Sequence, residues 1–103
     1  MNGQQPPQGQ QQLNIKIDDA TLKGVYTNAM GVSHSKEEFV LDFMNLYPWQ
    51  RAGVVSARVI TSPGHVKRIF KALEENIKKY EGKFGKIEVA KAPSAEDIGF
   101  KTA

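Results

Sequence analysis

No cysteine occurs in the 103 residues. Disulfides, thiol nucleophiles and cysteine-ligated zinc are therefore excluded, and a reducing compartment is the expected setting. Long apolar runs are missing as well; nothing approaches the ~18 residues of a membrane span. The opening residues MNGQQPPQGQQQ lack the basic and apolar regions of a secretory signal, so the expected location is cytoplasmic. His34 and His65 fall in neither H-x-x-x-H nor H-E-x-x-H spacing, and no metal is expected. Gly24, Gly31 and Gly53 match no phosphate-binding glycine pattern, and no cofactor is expected. Neither sign of charge dominates: 14 basic and 11 acidic residues leave +3. That is mild for a dedicated nucleic-acid binder, whose basic stripe is denser.

What the chain does have is the ordinary mixture of a globular domain, 40% hydrophobic and 24% charged. Residues 1–12 hold six glutamines, two prolines and two glycines. Such a segment cannot bury enough apolar surface to offset the entropy of ordering it, and a disordered tail is expected. Residues 13–87 carry the apolar pattern of a single domain. Residues 88–103 read as a flexible C-terminal tail, with Ile98 and Phe100 as a small apolar pair suited to a partner.

Within the domain, Leu13, Ile15 and Ile17 alternate with polar residues and predict a strand. Asp18 to Gly24 breaks the pattern as a turn or loop. Val25 to Val32 predicts a second strand, with an edge or bulge near Asn28 or Gly31. Residues 39–47, FVLDFMNLY, satisfy two patterns. Ser35 and Glu38 form a helix capping box, whereas the aromatic content and near-strict alternation favour a strand; the strand is preferred. Pro48 to Gly53 is a loop carrying Trp49, which is expected to fold back over the core, with an exposed aromatic anchor at an interface as the alternative. Val54 to Thr61 predicts a strand with Val55, Ala57 and Val59 on one face and Val54, Ser56, Arg58 and Ile60 on the other. A helix follows, capped by Thr61 or Ser62, with Pro63 in its first turn. Val66, Ile69, Phe70, Leu73, Ile77, Tyr80 and Phe84 recur at spacings of three and four, one apolar stripe ending near Gly82 or Gly85. The expected fold is α+β: a four-stranded, mainly antiparallel meander followed by one long C-terminal helix packed on one sheet face.

The strings LNIKI, GVYTNAMGVSHSKEEFVLDF and VVSARVITSPGHVKRIFKALEENIKKYEGKFGKI resemble domain-of-unknown-function family 3467. The resemblance spans Leu13 to Ile87 and supports a hairpin around His34–Lys36. It implies no agreed activity and no functional residues; at most it suggests a small accessory partner of the transcription machinery, with RNA polymerase as the complex. The order of elements also resembles the subunit of the export chaperone SecB, in architecture only.

Chemistry finds little support in the residues. Ser33, His34, Ser35, Glu37 and Glu38 are neighbours in sequence, and neighbours rarely converge on one pocket. The chain is therefore expected not to be an enzyme. A single helix covers one face of a sheet, and the other face retains Val54, Ile60 and one side of 39–47, too apolar to leave in water. Binding is the expected mode of action, to a protein partner or to a second copy as a dimer or higher oligomer. Candidate contact residues are Trp49, Arg51, Arg58, Lys67, Arg68, Lys71, Ile98 and Phe100. The leading expectation is an accessory subunit or assembly factor of a larger cytoplasmic complex. The alternatives are a homo-oligomeric, SecB-like binder of apolar segments, or a weak nucleic-acid-binding module using the basic helix.

Overall fold

The computed structural model describes residues 12–93. Along the chain come α1 (Asp19–Lys23), β1 (Ala29–His34), β2 (Phe39–Tyr47), a 3-10 turn (Pro48–Gln50), β3 (Ala52–Thr61) and α2 (Pro63–Phe84). The strands form one antiparallel sheet in the order β1-β2-β3.

The sheet is a meander with two short connections. At the first, the Ser35 N–H donates to the Glu38 carbonyl at 2.9 Å. The Ser35 hydroxyl accepts from the N–H groups of Glu37 and Glu38 at 3.2 and 3.3 Å. The capping-box residues thus close a hairpin, and FVLDFMNLY is a strand. At the second connection Arg51 takes up the left-handed conformation, φ 52°, and its N–H donates to the Pro48 carbonyl. A left-handed residue closing a short turn suits the right-handed twist of the flanking strands.

Three expectations are corrected. The sheet has three strands, not four. Leu13 to Ile17 joins no ladder among the described residues, and Ile15 is 88% exposed. Alternation makes a segment able to pair, but a strand also needs a neighbour's open edge, and here none is engaged. The predicted loop that follows begins with α1: the Asp18 carboxylate caps it by accepting from the Thr21 N–H at 2.7 Å, and Gly24 ends it at φ 74°.

The second correction concerns register. Phe43 lies opposite Ala57 and Met44 opposite Val55, which leaves Ser56 as the extra residue of a bulge in β3. Beyond the bulge the faces exchange. Val54 now shares a face with Asn45, and Val55 shares the opposite one with Met44. Strict alternation had assigned them the other way round.

The third concerns the helix. Helix α2 starts where expected: the Ser62 hydroxyl accepts from the His65 N–H at 3.1 Å, with Pro63 as the first helical residue. It ends at Gly85. It does not pack on the sheet. Substantial contacts among the described elements join β1 to β2, β2 to β3, and β3 to the 3-10 turn. The cause lies in the connection. A single residue, Ser62, separates β3 from α2; βα loops that turn a helix back over its sheet run to about 2–6 residues. Of its apolar residues only Pro63, Val66 and Ile69, in the first two turns, are half-buried.

The core is correspondingly small. Leu41, at 7% exposure, is the one buried hydrophobic residue among those described. It sits mid-sheet between Val32 of β1 and Val59 of β3, flanked along β2 by half-buried Phe39 and Phe43.

Candidate interaction surface

Among the described residues three surfaces remain uncovered, and they follow from the strand pairings and the helical repeat. The first is the α2 stripe. From Phe70 onward the stripe residues are exposed, with Phe70 at 62% and Leu73 at 59%. Ile77, Tyr80 and Phe84 are exposed as well. Phe70, Leu73, Glu74, Ile77, Lys78 and Glu81 line a shallow open trough of about 410 Å³ along the helix. At its C-terminal end the Tyr80 and Phe84 rings lie 5.0 Å apart at 48°, and the Lys83 ammonium stands 5.3 Å from the Phe84 ring centre. The Glu81 carboxylate accepts from the Ile87 N–H at 2.9 Å, which draws the chain back against the last helical turn.

The second surface is the sheet. One face carries Met30 and Val32, then Phe39, Leu41 and Phe43, then Val59 and, past the bulge, Val54. Met30, Val32, Val54 and Val59 are exposed. The opposite face carries Val40, Met44 and Leu46 with the exposed Ile60 and Val55. At its centre Arg58 makes a two-point contact with Asp42 directly across the ladder, Nε to Oδ1 at 2.7 Å and Nη2 to Oδ2 at 3.0 Å. Hydrogen bonds from Arg58, and then its charge, hold the Asp42 carboxyl below the ordinary aspartate range, although partial desolvation acts the other way. The same contacts raise the pKa of Arg58. β3 is also an edge of the sheet, ten residues long and rich in valine and isoleucine. Such an edge offers unpaired backbone groups to another chain.

Two asparagines supply polar order at the sheet's end. The Asn28 side chain accepts from the Leu46 N–H at 2.8 Å and donates to the Leu46 carbonyl at 3.2 Å, acting as a substitute strand backbone before β1 begins. The Asn45 amide donates to the Tyr26 carbonyl at 2.8 Å and to the Ser56 hydroxyl at 3.1 Å. An edge or a bulge was expected near Asn28 or Gly31: β1 is an edge strand, and the bulge lies in β3, where Asn45 holds its extra residue.

The third surface is the 3-10 turn, where Trp49 is 57% exposed and meets Tyr47 edge-on at 6.2 Å. Trp49 and Arg51 sit at one end of β3 and α2 begins at the other, a separation of about 30 Å at the ordinary rise of a strand. Lys67, Arg68 and Lys71 are exposed on the first half of α2. The candidate cations therefore do not converge: Arg51 is remote from the helix, and Arg58 is bound to Asp42. Ile98 and Phe100 lie outside the described residues. His34 stacks on Phe39 with ring centres 5.2 Å apart, and Ser35 is engaged with backbone amides, so the SHSKEE cluster is spent on the hairpin.

The helix is expected to cover one sheet face, with only its surplus length left for a partner subunit; instead its stripe is exposed from Phe70 onward. Two signals in the sequence pointed to it: the one-residue connection at Ser62, and the spacing 4-3-4-3-4 from Val66 through Phe70, Leu73, Ile77 and Tyr80 to Phe84. That alternation of fours and threes fits the seam positions of a heptad repeat, the pattern of a helix able to pack on another helix. Among the described residues no helix is long and apolar enough to cross a membrane. The family model described as "Protein of unknown function (DUF3467)" matches residues 1–89. No curated protein and no solved structure matches the chain.

Proposed function

The chain belongs to the DUF3467 family of proteins of unknown function, and from that premise we propose that it is a non-enzymatic protein-interaction module, a small accessory subunit or assembly factor of a larger cytoplasmic complex. One observation carries the reading: a 22-residue helix whose stripe, from Phe70 to Phe84, is exposed and has no substantial contact with another described element. Helical stability in proteins comes mainly from packing an apolar face rather than from intrinsic propensity. A helix with this stripe acquires that packing from another polypeptide. Both sheet faces and the β3 edge add further apolar and backbone groups of the kind that obligate interfaces bury. RNA polymerase is the complex suggested by the family resemblance, and it is the first candidate for trial.

The test is co-purification of the tagged full-length chain from its own cells, alongside a Leu73→Glu/Ile77→Glu variant. The expected result is a fixed, stoichiometric set of proteins retained by the native chain and lost by the variant, whose sheet is undisturbed. A heterogeneous set of unfolded clients instead supports a chaperone. Retention of mixed oligonucleotides at about 0.15 M salt, where the Debye length is ~8 Å, supports nucleic-acid binding. A homogeneous monomer with no partner overturns the binding reading.

A further inference from the structure

We infer that a second copy of this chain occupies the α2 stripe, through an antiparallel α2–α2 seam; this rests on the binding reading above and names the partner of its helix. The 4-3-4-3-4 spacing makes Val66, Phe70, Leu73, Ile77, Tyr80 and Phe84 the seam positions of a heptad repeat. When two such helices run antiparallel about a two-fold axis between Leu73 and Ile77, every seam residue finds a counterpart. Val66 meets Phe84 of the second copy, Phe70 meets Tyr80, and Leu73 meets Ile77. Each aromatic layer is then paired with another apolar residue and none faces a charge.

Charge decides the direction. Lys67, Glu74 and Glu81 flank one side of the stripe, and Ile69, Asn76 and Lys83 the other. In an antiparallel pair each flank meets its own counterpart. Lys67 then faces Glu81 of the second copy, twice by symmetry, Asn76 faces Asn76 and Ile69 meets Lys83; one like-charge contact, Glu74 with Glu74, lies near the axis. In a parallel pair the two flanks meet each other, Ile69 with Glu74 and Asn76 with Glu81, and no opposite charges are brought together. The antiparallel pair also places the two sheets at opposite ends of the seam. Their faces stay open to a larger partner.

Area is consistent with self-association of moderate strength. Stable interfaces bury about 800 Å² per partner. Aromatic side chains bury ~150–250 Å² each, and Phe70, Tyr80 and Phe84 are half or more exposed. With Leu73, Ile77 and the flanking side chains, they supply a large part of that requirement. The repeat spans fewer than three heptads, so the expected dissociation constant is micromolar.

Sedimentation equilibrium of the full chain, with helix content followed by circular dichroism, tests this. The native chain is expected to form a dimer above micromolar concentration. Lys67→Glu and Glu81→Lys each weaken it, by about tenfold for two exposed ion pairs. The combined Lys67→Glu/Glu81→Lys chain recovers native affinity, and Glu74→Gln tightens the dimer. Both charge changes favour the helix dipole, so weakening is not explained by helix loss. A folded monomer at all concentrations overturns the inference, and so does failure of the combined variant to recover. In the former case the binding reading stands only if the stoichiometric partner of the co-purification test is found.

Discussion

Leu41 and Leu73 are both leucines on an apolar face, yet one is 7% exposed and the other 59%. The difference lies in what each element can bring to itself. Leu41 sits in the middle strand of a meander, so short connections place Val32 and Val59 beside it. Leu73 sits on a helix that leaves β3 through a single residue, and no other described element covers it. The sheet is completed locally; under the proposal above, the helix is completed by a neighbour.

The sharpest way to break this contrast is to truncate both leucines. Leu41→Ala is expected to destabilise the dilute chain by about 2–4 kcal/mol, the cost of a lost core side chain. Leu73→Ala is expected to change the same denaturant midpoint by less than ~0.5 kcal/mol, while reducing association. Equal losses in dilute solution would mean that α2 packs on its own sheet.

Next in size is the polar order of the sheet's end. Asn45→Ala removes the donors to Tyr26 and Ser56, and about 1–2 kcal/mol of stability is expected to go with them. The loss falls on the sheet alone, so urea unfolding should shift while the association of α2 stays unchanged.

The smallest effect is electrostatic. Asp42 titrates below its unfolded value, which is about 3.9, because Arg58 binds its ionised form. Its contribution is therefore present above that pH and is lost as pH falls through the folded pKa. The Arg58 side chain is 61% exposed, so salt screens the pair and the contribution is small. The stability difference between the native chain and Asp42→Asn should narrow on acidification and in high salt. A difference independent of pH would show that packing, not the carboxylate charge, sets it.

Much of the sheet was legible because its signals are local. β2 and β3 follow from alternation and β-branched residues, the hairpin from Ser35 and Glu38, and the helix from Ser62, Pro63 and Gly85. Less legible was whatever depends on a pairing partner. Leu13 to Ile17 has the pattern of a strand and no ladder. Val54 and Val55 exchange faces because of one unpaired residue, Ser56, which no periodicity predicts. Trp49, expected to fold back over the core, is instead 57% exposed. Arg58 is committed to Asp42, a cross-ladder pairing invisible without register. The candidate surface itself was read mainly as core, because an apolar stripe looks the same in sequence whichever molecule covers it.

Hydrogen exchange of the full chain as a function of concentration tests this contrast most directly. The account predicts that amides of β2 around Leu41 are equally protected in dilute and concentrated solution. Those of α2 from Phe70 to Phe84 should exchange rapidly when dilute and become protected as concentration rises through the micromolar range. Protection of α2 that matches the sheet and does not change on dilution would contradict it.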